Sequence, residues 1–249
     1  MKKTSLLLAA VIFAAGFVWA EQAKLPSKYT KEYAQNLLTD VDESMYPKIF
    51  KSEMTMETVR PGRPVVKYTY TIYSKGSDNA LMEITFPKRD VGKKILLKGE
   101  NLWMYMPNVS RPIRMTRSQS FMSSTFSNED MTDTTWANDY DAEITEARGT
   151  KIKLVLAAKR RDVAYAKIEM WVDDENKVPV EAVYYGLSGK AIKKMTFSNV
   201  KEMAGRLRPV EMRMEDLLEE GAYTDVKTGN IKKLDSLPEH YFDQAQMGR

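Results

Sequence analysis

The stretch "NLWMYMPNVSRPIRM", Asn101 to Met115, carries no charge before Arg111. A strand through it points alternate side chains to opposite faces. Leu102, Met104 and Met106 then share one face, and Trp103 and Tyr105 share the other. Both faces are apolar, so both need cover. The period alone does not say which one turns inward, because a slip of one residue exchanges them. One face lining an interior and the other packed under a helix would satisfy both.

Working outward, the flanking segments keep a period of two. Phe50, Met54 and Met56 alternate with charged neighbours, and "RPGRP" at 60–64 turns the chain. Tyr68, Tyr70 and Ile72 form one face of the next strand, and Met82, Ile84 and Phe86 one face of a third. Gly99 divides "KKILLKGENLWMYMP" into two further strands. Beyond the polar middle, Ile152, Leu154 and Leu156 alternate, as do Ile168 and Met170, Met195 and Phe197, and Met212 and Met214. A last strand from Ala222 to Lys227 would pair with Ile231 to Leu234 around Gly229. The expected fold is mainly β: about eleven strands in one curved antiparallel sheet, a half-open β-barrel. A helix precedes it, capped by Thr30, carrying Tyr33, Leu37, Leu38 and Val41, and stopped by Pro47.

Residues 116–141 break the pattern. They are dense in Ser, Thr, Asn and Asp, with scattered Phe121, Met122, Phe126, Met131 and Trp136. So long a link inside a compact domain is usually functional or holds short helices. It reads as a lid, Ser120 to Trp136, with one short helix near Asn128 to Met131.

Methionine decides what the sheet encloses. The chain has 16. Met54, Met56, Met82, Met104, Met106, Met170, Met195, Met212 and Met214 fall on positions that the period assigns to the interior. An ordinary β core favours branched residues with defined rotamers. Methionine is flexible and polarizable, suited to a wall that must fit several apolar shapes. The expected site is therefore a lipid-binding cavity lined by these methionines and by Tyr68, Tyr70, Ile72, Ile84, Phe86, Leu102, Ile152, Leu154, Leu156, Ile168 and Phe197, gated by the lid. Arg111, Arg114 and Arg117 stand at its mouth as contacts for acidic groups, or simply as solvated loop charges.

The first twenty residues, "MKKTSLLLAAVIFAAGFVWA", have a basic start, an apolar run and small residues before Ala20. That is a secretory signal with a cut after Ala20. Its run is short for a span of about 20 residues. Residues 21–249 then form a single domain, expected to be a soluble monomer. The formal net charge is +4, of which Lys2 and Lys3 supply two, so nothing points to nucleic acid. There is no cysteine; an exported chain without disulfides relies on its core.

"PKRDVGKKILLKGENLWMYMPNVSRPIRMTRSQSFMSSTFSNEDM", together with "RPVEMRMEDLLEEGAYTDVK" and "DVDESMYP", resembles the LolA-like family of periplasmic lipoprotein carriers, the outer-membrane lipoprotein-sorting proteins. The resemblance implies a half-open β-barrel closed by helices whose interior holds acyl chains. It also implies an acylated lipoprotein or lipid as cargo, an inner-membrane donor complex and an outer-membrane acceptor. A lipid-binding accessory or sensor module for a membrane transport system is the alternative.

Other chemistry is poorly supported. Ser198–Lys201, Ser77–Asn79 and Lys227–Gly229 mimic the triplets of serine β-lactam enzymes but stand in the wrong order. An enzyme is not expected. One histidine and no cysteine make a transition-metal site improbable, and Asp173–Glu175 lacks the spacing of a calcium loop. No cofactor is expected.

Overall fold

A computed structural model describes residues 25–109, 111–132, 135–161 and 163–248. The signal assigned to residues 1–20 lies outside the described residues, as do positions 133–134 of the lid.

Helix α1 spans Lys31–Met45. The Thr30 side chain accepts a hydrogen bond from Tyr33 N (3.1 Å), satisfying one of the amides that the first turn leaves open. Leu37, Leu38, Val41 and Met45 form its buried stripe. At the other end the Arg208 guanidinium donates to Glu43 O and Ser44 O (2.9 and 2.8 Å). It places a cation on the carbonyls of the last turn, where the helix dipole favours positive charge.

Thirteen strands follow, two more than the sequence period suggested. They are β1 Ile49–Val59, β2 Val66–Lys75, β3 Asn79–Phe86, β4 Lys94–Lys98, β5 Asn101–Tyr105 and β6 Ile113–Met115, then β7 Tyr140–Arg148, β8 Lys151–Ala158, β9 Lys167–Asp173, β10 Val178–Tyr185, β11 Ala191–Met203, β12 Arg206–Asp216 and β13 Tyr223–Lys233. All belong to one antiparallel sheet, ordered β6-β5-β4-β3-β2-β1-β13-β12-β11-β10-β9-β8-β7. The first and last strands meet in the middle. The two edges, β6 and β7, are consecutive in sequence. The barrel therefore stays open between them, and the link from one edge to the other has to cross the opening.

Two strand readings need correction. β6 has three residues, too few for a period to register. At the C-terminus there is no hairpin around Gly229; β13 runs straight through it. The register against β1 shifts there, from Ser52 opposite Ile231 to Met54 opposite Thr228. A Cβ on Gly229 would lie 3.2 Å from Glu53 O, so the glycine serves close strand approach in a bulge rather than a turn.

The opening question has a structural answer. Leu102 and Met104 face the main core with α1, while Trp103 and Tyr105 face outward. The outward pair joins Leu81, Leu96, Leu237, Phe242 and Met247 in a second apolar cluster. Its cover is the C-terminal segment, with 3-10 turns at Glu239–Phe242 and Gln244–Gln246. Tyr241 packs on Tyr73 with ring centroids 4.7 Å apart.

Candidate functional site

The link between the two edges folds inward. It begins with a 3-10 turn at Phe121–Ser123, continues as helix α2, Asn128–Thr132, and ends in helix α3, Trp136–Asp139. α2 stands where the short lid helix was expected. Phe121 and Phe126 are at most 2% exposed and Met131 is buried, all within the main core. Met122 and Trp136 are partly buried against it. The segment is thus a plug as much as a cover.

Polar bonds fasten it at three places. Thr125 N donates to Thr224 Oγ1 (3.0 Å), and Thr125 Oγ1 donates to Met214 O (2.8 Å). The Asp42 carboxylate on α1 accepts from Trp136 N and Ala137 N (3.0 and 2.9 Å). Between these, Tyr165 Oη donates to Asp130 (2.6 Å), and Lys193 Nζ donates to Tyr165 Oη (2.9 Å). Burial and the Asp130 charge raise the Tyr165 phenol well above its ordinary pKa, so it stays a donor.

Beneath this plug lies an apolar cavity, with about 80 Å³ open to the centres of water molecules. Met45 and Tyr46 from the end of α1, Phe50 and Met54 from β1, and Ile72 from β2 form one wall. Ile168, Tyr184, Met195, Phe197 and Met212 form the opposite wall, and Phe126, Met131 and Trp136 the roof. Glu129, Asp130 and Asp139 also line the cavity. One water needs roughly 10–15 Å³ of such space. The space admits several waters and is far too small for a chain of about 16 carbons, because the plug fills the rest of the interior.

The expected lining residues fall into three groups. Met54, Ile72, Ile168, Met195, Phe197 and Met212 border the cavity. Met56, Tyr68, Tyr70, Met82, Ile84, Leu102, Ile152, Leu154, Leu156, Met170 and Met214 are buried in the same core away from the open space, and Met104 packs partly buried against it. Phe86 and Met106 belong to neither group. A bulge sets Thr69 opposite Phe86 and Tyr70 opposite Ile84, which breaks the alternation and leaves Phe86 48% exposed. Met106 follows the end of β5 and enters neither apolar cluster.

The three arginines do not form one mouth. Arg117 is held inside the plug by Glu129 (3.3 Å) and Asp139 (3.5 Å). Arg114 is exposed and donates to Asn101 Oδ1 (2.6 Å), and Arg111 is exposed. Among the lining residues, sequence reading missed Met45, Tyr46, Phe50, Tyr140, Tyr165 and Tyr184. Met45 continues the helical spacing of Leu38 and Val41. Tyr165 lies in a link between strands, where no period marks it.

Rival sites are occupied by local structure. The Asp173 carboxylate accepts from Glu175 N and Asn176 N (3.0 and 3.3 Å), and Asp174 is bonded by Tyr33 and Lys177 (2.7 and 2.6 Å). Ser198 lies within β11, not at a strand end or a helix start, and is exposed. Among the described residues no group of three or more acidic or His side chains is placed to hold a metal, and no helix is long and apolar enough to cross a membrane.

Solved structures share this architecture. A LolA superfamily protein from Nitrosomonas europaea is 32% identical, covering 84% of this chain and 97% of its own, with a TM-score of 0.77. A DUF1329 family protein from Desulfovibrio piger is 24% identical over 87% of this chain and 98% of its own, at 0.76. An outer membrane lipoprotein-sorting protein domain from Vibrio parahaemolyticus is 19% identical over 88% and 100%, at 0.77. The last two likenesses concern the fold alone. A family model with the description "-like: Uncharacterized protein" matches residues 76–249. No curated protein matches in sequence.

Proposed function

Since the chain belongs to the LolA superfamily, we propose that it is a periplasmic carrier that takes acyl chains of lipoproteins beneath the 116–139 link and conveys them toward the outer membrane. The observation that carries this reading is the apolar hollow under a plug fastened by a few polar bonds. Phe121 and Phe126 fill the interior, and on this reading that arrangement is the closed state. Cargo would displace them, and the methionine-rich walls would adapt to whatever chains replace them. Burying each methylene contributes about 0.8 kcal/mol. Several fully buried chains would pass the ceiling on reversible affinity. A plug that competes for the same space offsets part of that gain and allows release.

On this reading the chain is exported, loses residues 1–20, receives cargo from an inner-membrane donor complex and gives it to an outer-membrane acceptor. It performs no catalysis, so Ser198→Ala leaves it unchanged. The test is lipid extraction and mass spectrometry of protein purified from its own periplasm. Acylated peptide or lipoprotein supports the carrier. Free lipid alone would favour an accessory or sensor module, and no acyl chain above an unrelated control protein would refute both.

A further inference from the structure

The described residues include ten exposed large apolar side chains. Seven of them lie on or beside four hairpin tips at one end of the strands, an edge distinct from β6 and β7. Leu187, 90% exposed, tops β10–β11, and Leu217 and Leu218 top β12–β13. Val65 and Val66 belong to the β1–β2 tip, and Phe86 and Val91 flank the β3–β4 link. The strand order makes these four tips successive neighbours along the same edge. Contacts join the β1–β2 and β12–β13 tips: Arg60 pairs with Glu219, and a Cβ on Gly221 would touch Pro61 Cγ at 3.4 Å.

Charge on this edge is uneven. Arg63, Lys88 and Lys190 are exposed with no ion pair among the described residues, and Arg89 is 78% exposed at 3.4 Å from Asp90. The edge's carboxylates are mostly engaged: Glu219 by Arg60, Asp90 by Lys93 and Tyr68, and Asp216 by the amides of Leu218 and Glu219. Glu220 is exposed and has no ion pair among the described residues. Three unpaired cations, and Arg89 paired only with Asp90, thus stand among seven apolar side chains.

We propose that this edge docks on the surface of an anionic phospholipid bilayer. Single side chains projecting from separate turns suit acyl chains, which conform around each one. A protein partner needs a continuous face packed to interior density. Interleaved cations match the negative headgroup layer. The edge also adjoins the plug, since Arg60 Nε donates to Ser123 O (3.4 Å). The inference does not depend on the carrier reading, because vesicle binding needs no lipoprotein and the substituted residues lie outside the cavity.

The experiment is flotation of residues 21–249 with vesicles of pure phosphatidylcholine and of phosphatidylcholine mixed with phosphatidylglycerol. Binding to the anionic vesicles is expected, falling as salt rises. Leu187→Ser/Leu217→Ser/Leu218→Ser and, separately, Arg63→Glu/Lys88→Glu should each lower the partition at least about tenfold, with acyl content after extraction unchanged. Absence of flotation, or flotation that neither variant alters, overturns the proposal. So does a dimer seen in sedimentation that the leucine variant dissociates, since the edge would then join copies of the chain.

Discussion

The Asp42 carboxylate, 7% exposed in the last turn of α1, accepts both Trp136 N (3.0 Å) and Ala137 N (2.9 Å). One acidic side chain therefore ties the N-terminal helix to the far end of the plug, 94 residues away. Thr135, at the start of α3, makes no side-chain capping bond, so Asp42 takes that role from outside the segment. Asp42→Ala should cost about 1–2 kcal/mol, the usual loss of a helix cap. Hydrogen exchange should accelerate at residues 136–140 more than in β8 or β9.

Tyr70 should respond in the opposite sense. Its hydroxyl is buried with no hydrogen-bond partner among the described residues, and its ring lies 5.7 Å from that of Phe121. An unsatisfied buried hydroxyl costs about 1–3 kcal/mol. Tyr70→Phe should raise the denaturation midpoint at unchanged m-value and slow the entry of a fluorescent acyl probe, because the closed state gains. A fall in stability would mean that the hydroxyl has a partner.

Thr125→Val removes the bond to Met214 O while keeping the shape of the side chain. The loss should be about 1 kcal/mol, concentrated on the closed state. Probe entry should quicken about fivefold, with the far-ultraviolet spectrum unchanged. Equal entry rates would show that this fastening does not limit opening.

Gly229→Ala tests the bulge. The new methyl would meet Glu53 O at 3.2 Å and Glu53 Cβ at 3.4 Å, both on a paired strand with little room to move. Overpacking of this kind costs about 1–3 kcal/mol, measurable by urea unfolding. A hairpin turn at Gly229 would have left a methyl in open solvent.

Acid stability should depend on Glu169. Hydrogen bonds from Lys153 and Lys167 lower its carboxyl from the ordinary 4.5 to about 2. A carboxylate with a depressed folded pKa adds stability that is complete above the unfolded value and is lost as pH falls through the folded one. The window therefore lies between about pH 4.5 and 2. Glu169→Gln should flatten the decline there and leave the stability at low pH near that of the unsubstituted chain.

Local pattern determined a good deal. Helix α1 and its Thr30 cap, most strands and the inward set from Met54 to Met214 follow from periods of 3.6 and two, which depend only on backbone geometry. Bulges interrupt that logic. Near Phe86 and Gly229 one strand carries an extra residue against its partner, and pairing rather than sequence sets the phase. Likewise, "NLWMYMP" announced two apolar faces but not which was inner. The choice rests with Leu237, Phe242 and Met247, which cover the outer face from more than a hundred residues away. The plug was legible only as an irregular polar link with a short helix. Its inward course follows from β6 and β7 being the two edges of one open sheet, a relation that exists only once all thirteen strands have paired.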